Sequence, residues 1–410
     1  MSRRFFVYLE KVYKLSSKAA ELKDRRESHQ VSGLSCFMFV FWMLALGEGS
    51  LNGFEQRLLQ EGRRALWSRL FSSRAPSADT VGYCFDRIEL DGLRDLLHQI
   101  YTTLQRNRVI SKLTICGWRV LAVDGHELCS SYLKHCDQCC ERTVHTKKGD
   151  RIQYYHKVVV AQLVGGFLAL PLDLEPILPG EGEVEAAARL IQRLIKRYPK
   201  AFDIVTADAI YANPGFLELL IKHHKHLLAV LKENHPDLLK DAKALFREQE
   251  PICSKEGNTE LERWDLQGFH TWPQATREMR VVRSHETTIK KNEITEADWF
   301  WVTGMAQSLA TAEIICRIGH ARWEIENQGF NYLVNHLHMN HIFRHQPNAI
   351  VAFLLVLFIA YILLQAFYQL NLKPNRRSKL RLLGLIKELA SLFWTELKLI
   401  KENPGKPRPP

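Results

Sequence analysis

Arg119-Val120-Leu121-Ala122-Val123-Asp124-Gly125 marks the point where this 410-residue chain changes character. Upstream, apolar residues recur at helical spacing. Here four apolar residues follow one another and end in an acid and a glycine. An unbroken apolar run of that kind reads as a strand buried on both faces, and the Asp-Gly that closes it reads as a turn.

Working outward, residues 154–164 (YYHKVVVAQLV) and 167–174 (FLALPLDL) pair as a hairpin through Gly165-Gly166. Residues 181–197 form an amphipathic helix after the Pro179-Gly180 turn, and 203–208 (DIVTAD) are a second short buried strand with an acidic end. A helix over 214–224 and a strand over 226–232 (HLLAVLK) follow. Strand, strand, strand, helix, strand, helix, strand describes a mixed α/β sheet that begins as an antiparallel meander and continues by helical crossovers. From about 234 to 304 the helical crossovers lapse, and 261–271, 279–284 and 299–303 look like strands of a separate β-rich insertion. The helical pattern returns at Ala310. The expected organisation is therefore an all-helical region 1–110, a core made of 111–233 and 305–372, an insertion 234–304, and a basic C-terminal helix and loose tail 373–410.

Within the helical region, 5–22 and 37–46 carry helical periodicity. Ser77 or Asp79 offers an N-cap for a helix through Val81, Cys84, Phe85 and Ile88. Leu90-Asp91-Gly92 is expected to break it before 93–104 resumes. Two helices about a tight turn fit a DNA-binding helix-turn-helix or a plain helical hairpin, and the pattern leaves both open.

Lys and Arg number 56 against 45 Asp and Glu, a net charge of +11. That favours a polyanionic partner without separating nucleic acid from an acidic membrane surface. Hydrophobic residues at 46% and charged residues at 25% exclude a disordered or fibrous chain. Nine cysteines are too few for a secreted disulfide scaffold. Glu10, Lys11 and Lys14 interrupt any apolar signal core, so a cytoplasmic location is expected. The run 349–364 (AIVAFLLVLFIAYILL) falls just short of the ~17–25 residues a spanning helix needs. It reads as a helix buried on all sides, with no membrane partner.

Asp124 and Asp208 share a setting, each closing a short apolar strand. In α/β sheets the carboxyl ends of strands face the crevice where ligands bind. A third acid lies in Ile318-Gly319-His320-Ala321-Arg322-Trp323-Glu324-Ile325-Glu326-Asn327. Four residues apart on a helix, Arg322 and Glu326 project together, while Glu324 turns ~200° from Arg322 and is expected to face solvent. The plainer readings are turn-capping aspartates and a surface ion pair. Separately, Cys136 and Cys139 have the C-x₂-C spacing that grips zinc, and Cys129 plus Cys140 or a nearby His (His126, His135, His145) would complete four ligands. Reduced thiols packing a loop are the alternative.

Three segments, VDGHE (123–127), TADAIYANPGF (206–216) and RWEIENQGF (322–330), together resemble the catalytic segments of bacterial insertion-sequence transposases of the DDE superfamily. The resemblance extends to the branch with a β-strand insertion between the second Asp and the Glu, and spans roughly residues 115–370. It implies an RNase H-like mixed sheet with a β-rich insertion, preceded by an all-helical N-terminal domain. It implies Mg²⁺ or Mn²⁺ held by Asp124, Asp208 and Glu326, with Arg322 orienting Glu326 or contacting a phosphate, and Asn327, His320 or Tyr332 beside the DNA. It further implies binding to the element's terminal inverted repeats, metal-dependent cleavage and strand transfer, a homodimer on double-stranded DNA, and a bacterial cytoplasmic, nucleoid-associated setting. Some relatives carry a Tyr and a Lys where this chain has Gly319 and Leu333. That departure leaves a second reading, a catalytically inactive DNA-binding protein retaining the fold.

Overall fold

The computed structural model describes residues 2–27, 29–60, 63–272, 275, 277–290 and 293–402. Of the tail expected to be loose, 403–410 lie outside the described residues.

Ten strands form one sheet: β1 (Val120–Ser131), β2 (Cys140–Thr146), β3 (Gly149–Val164), β4 (Leu170–Pro176), β5 (Ile204–Ala207), β6 (His226–Val230), β7 (Ile252–Glu256), β8 (Thr259–Phe269), β9 (Met279–Lys290) and β10 (Glu293–Thr303). The path runs β2-β3-β1-β5-β6-β10-β9-β8-β7, with β4 also pairing β3. β1, β3 and β4 are antiparallel, as the hairpin reading requires, and β1, β5 and β6 are parallel. The helices Glu183–Arg197 and Pro214–Lys222 make the two crossovers. The second helix starts where it does because Pro214 occupies its first turn and the Asn213 side chain accepts from the Phe216 N–H.

The 252–303 strands do not stand apart as a separate unit. β10 pairs antiparallel with β6 and continues the same sheet. A helix, Pro236–Phe246, also precedes β7 where no helix was expected. The expected break at Leu90-Asp91-Gly92 falls inside the helix Leu90–Arg106. The helix instead ends earlier, in a turn at 86–87 and a bridge between Ile88 and Asp24: Arg25 N–H donates to Arg87 O and Glu89 N–H to Lys23 O.

The apolar run forms the helix Pro347–Ala366, every residue of which from Ala349 onward is buried. It is long and apolar enough to cross a membrane, yet all of its apolar window is covered by protein. Its cover comes from the helices Gly33–Ala45, Ala78–Phe85 and Leu90–Arg106 and from β4. Gln365, polar in an apolar helix, is satisfied at both ends: its Nε2 donates to Ala169 O and its Oε1 accepts from Ala169 N, each at 2.9 Å. The N-terminal helices thus share one core with the α/β sheet.

Candidate active site

β1 is buried from Val120 to Val123 and half-exposed from Asp124 to Glu127, so Asp124 is the first side chain to emerge from the core. β5 is buried throughout, and Asp208 follows it as the cap of a short 3₁₀ turn. Val123 is in register with Ala207 across the parallel β1–β5 pair, which places the two aspartates at equivalent positions on neighbouring strands. Such strands lie about 4.8 Å apart. Glu326 comes from the segment after the helix Ala312–Ala321, where the ladder tightens and then widens into a π-helix, Ile325–Phe330. π-turns of this kind recur at functional sites.

Arg322 joins these elements. Its Nη1 lies 3.3 Å from Asp124 Oδ2 and 2.8 Å from Glu326 Oε1, so the two oxygens can be no further apart than the sum of those distances. The residue is 4% exposed, its guanidinium lies 4.5 Å from the Trp323 ring centre, and its Nε has no partner among the described residues. Asp208 Oδ1 accepts from Lys232 Nζ at 3.1 Å.

The two aspartates differ electrostatically. Burial pushes the Asp124 carboxyl up to about 6; Arg322 opposes this, while the Glu183 and Glu326 carboxylates add to it. Burial acts upward on Asp208 as well, but the Ala209 N–H, Lys232 and the more distant Arg322 outweigh it and hold the carboxyl below its ordinary value. Asp124, Asp208 and Glu326 are all oxygen donors, and one cationic nitrogen already sits between two of them. That donor set fits a hard divalent cation.

Glu183, which the sequence did not single out, belongs to this neighbourhood. Tyr211 of the TADAIY segment donates to its Oε1 at 2.8 Å, and Lys157 pairs with Oε2. Gly125 makes room for it, since a Cβ there would sit 2.2 Å from Glu183 Oε2. From sequence, an acid in a helix's first turn reads only as complementing the helix dipole.

Other expected residues stand elsewhere. Glu324 is not the solvent-facing acid: its Oε2 accepts from Gly165 N–H at 2.9 Å, at the β3–β4 turn, and burial raises its carboxyl. Asn327 is exposed beside Glu326. His320 Nε2 donates to Glu286 Oε1 at 2.8 Å, and Tyr332 stacks on Tyr361. The two departures are built into the core: Leu333 is buried, and a Cβ on Gly319 would sit 2.2 Å from Trp301 Nε1. Cys136 and Cys139 come together with His156 and His345, whereas Cys129 and Cys140 fall outside that group. The Cys140 thiol points instead toward Ile177 O at 3.5 Å.

The mixed sheet thus carries acids at the ends of β1 and β5, with Glu326 of the later π-helix gathered beside the first by Arg322. The family described as Transposase DDE domain matches residues 120–363, more than half of the chain. The chain belongs to the DDE transposases of insertion-sequence type, and its fold is the RNase H-like α/β sheet of that family with a helical N-terminal region. None of the curated proteins compared with it matches. Among solved structures, the NurA nuclease from Sulfolobus solfataricus aligns over 61% of this chain and 97% of its own at 11% identity, with a TM-score of 0.26. A likeness that weak carries no argument.

Proposed function

We propose that this transposase binds the terminal inverted repeats of its element and cuts and rejoins DNA at a site made of Asp124, Asp208 and Glu326. The observation that carries the reading is the shared Arg322 guanidinium, which gathers acids from β1 and the π-helix beside the acid of β5. Together those three side chains would hold Mg²⁺ or Mn²⁺. Divalent ions bound there supply activation of an attacking oxygen and stabilisation of a departing 3′ oxygen.

The chain's own residues do the rest. Partial burial raises the Asp124 carboxyl, so a cation beside it favours the ionised form. Arg322 orients Glu326 through Nη1, the same nitrogen that faces Asp124. Lys232 fixes the Asp208 carboxylate. Asn327, exposed next to Glu326, is a DNA-contacting residue.

The proposed division of labour assigns sequence-specific DNA contact to 1–110, chemistry to 111–233 and 305–372, an added sheet edge to 234–304, and further phosphate contact to the basic segment 373–410. Lys147 and Lys148 at the exposed tip of the β2–β3 hairpin, with Arg151 beside them, offer another phosphate-binding surface. Because two ends must be held together, the working form is a homodimer on DNA, acting at the nucleoid in the cytoplasm.

The test compares wild type with Asp124→Ala, Asp208→Ala and Glu326→Ala on a labelled duplex carrying the element's end, with Mg²⁺ or Mn²⁺, scoring binding and cleavage separately. The expected result is cleavage by wild type only, with binding retained by all four, because affinity comes mainly from Lys and Arg neutralising phosphates. If all four bind and none cuts with either ion, the inactive DNA-binding protein is the correct reading.

A further inference from the structure

We propose that Cys136, Cys139, His156 and His345 form a closed tetrahedral zinc centre, separate from the carboxylate site, at the base of the β2–β3 hairpin. Their donor atoms all lie within 4.8 Å of one another. The two sulfurs are 3.9 Å apart, too far for a disulfide bond of about 2.05 Å. Cys136 Sγ lies 3.4 Å from His156 Nε2, and Cys139 Sγ lies 3.3 Å from His156 Nε2 and 3.4 Å from His345 Nε2. The two imidazole nitrogens are 3.0 Å apart.

These five separations correspond to five of the six edges of a coordination tetrahedron, and the sixth, from Cys136 Sγ to His345 Nε2, is no longer than 4.8 Å. Zinc bonds of about 2.3 Å to sulfur and about 2.0 Å to nitrogen set edges of about 3.8 Å between sulfurs, about 3.5 Å from sulfur to nitrogen and about 3.3 Å between nitrogens. Each observed separation lies within about 0.3 Å of its counterpart. Hydrogen bonding alone explains the convergence poorly, since thiols are weak donors and each neutral imidazole has one proton to share.

The chemistry selects the metal. Two thiolates and two imidazoles suit zinc, whereas the carboxylates around Arg322 suit a harder ion. Four protein donors leave no open position, so the centre is structural. Binding releases one proton from each thiol, leaving two thiolates and two neutral imidazoles around a 2+ ion, a centre of no net charge. The Cys136 amide N–H also points at Cys139 Sγ at 3.3 Å, a bond that supports a thiolate there.

Three distant segments meet in this centre. Cys136 and Cys139 precede β2, His156 lies on β3, and His345 lies just before the helix Pro347–Ala366. Opposite His156 on β1 is Cys129, five residues from Asp124, which puts the centre on the order of 15 Å from the carboxylates. The ion would pin the basic hairpin and the extension of β1 to the chain that follows the glutamate-bearing helix. A nearby contact runs the same way: His126 stacks on Phe330 and its Nε2 lies 2.7 Å from Asn340 Oδ1.

The test measures zinc in the full chain purified without chelator. About one zinc per chain is expected in wild type, Cys129→Ser and Cys140→Ser, and background in the Cys136→Ser/Cys139→Ser double variant. Because that variant could fail to fold, wild type is also stripped and reloaded with Co²⁺. Intense ligand-field bands of tetrahedral cobalt with thiolate charge transfer are expected. A wild type that takes up no zinc, a cobalt spectrum without thiolate charge transfer, or zinc lost on Cys129→Ser or Cys140→Ser would each overturn the assignment. The centre stands apart from the carboxylate reading: Asp124→Ala and Glu326→Ala should keep their zinc whether or not the protein cuts DNA.

Discussion

Gly319→Ala tests how the glutamate-bearing helix is held. Gly319 lies one turn before Arg322, on the face of the helix that meets the sheet at Trp301. The added Cβ would stand 2.2 Å from Trp301 Nε1, 2.3 Å from Cε2 and 2.8 Å from Cδ1. Ordinary contacts begin near 3.4 Å, so helix and indole must separate by about 1 Å. Trp301 cannot simply swing away, since it is 1% exposed, lies in β10 and stacks on Trp299. Overpacking of this kind costs about 1–3 kcal/mol, against which alanine in a helix recovers about 0.5–1 kcal/mol. The net loss is about 1–2 kcal/mol, which thermal unfolding of a chain this long should register as a midpoint lower by about 1–2 °C. The decisive comparison is a double-mutant cycle with Trp301→Phe, which shrinks the ring and deletes a buried N–H that has no partner. In that background Gly319→Ala should cost less by at least about 0.5 kcal/mol. Strict additivity, or an unchanged midpoint for Gly319→Ala, would refute the claim that this close approach sets the helix position. The same contact explains why the tyrosine of some relatives has no place here.

Two further outcomes follow from the geometry. Glu324→Gln keeps an acceptor for Gly165 N–H and should leave DNA cleavage within about twofold of wild type; a loss as deep as that of Glu326→Ala would mean the acids had been assigned to the wrong faces. Asp24 and Arg26, with side chains 4% and 2% exposed, form a buried ion pair, so Asp24→Ala should cost about 3–5 kcal/mol at neutral pH. Burial alone would raise the Asp24 carboxyl, but Arg26 more than offsets it and holds the group below its ordinary value. Its stabilisation is therefore fully present above the unfolded value of about 3.9 and fades as pH falls below it. Urea unfolding at pH 7 and pH 3 should show the gap between wild type and variant closing with acid; a constant gap would contradict the linkage.

The legible part of the fold was the part whose burial is uniform. VLAV, IVTA and HLLAV are buried strands, and each reads as an apolar run with a defined end. Those ends marked Asp124 and Asp208 as candidates, and the parallel β1–β5 pairing sets them side by side. The outer halves of β9 and β10 were not legible, because they form a largely exposed ribbon of alternating charged and β-branched residues with no apolar face to mark it. β2 was hidden for the same reason. That exposed ribbon still matters, since β10 ties the insertion to β6 and carries the tryptophan against which the Arg322 helix rests.

The two errors at functional residues have geometric causes. Placing Glu324 in solvent assumed a uniform ~100° per residue. The backbone instead makes i→i+3 bonds, Arg322 N–H to Gly319 O and Ile325 N–H to Arg322 O, before opening into the π-helix. That change of pitch lets Arg322 and Glu326 stay together while Glu324 turns back to the β3–β4 turn. The thiol cluster failed differently. C-x₂-C spacing identifies a local pair, and Cys136 and Cys139 were found on that signal. Their partners are 17 and 206 residues from Cys139, and no local spacing links them. Only the β1–β3 register and the return of the chain after the glutamate-bearing helix bring His156 and His345 together. A local pattern can therefore find half of such a centre, while the other half is fixed by the same sheet that assembles the carboxylates.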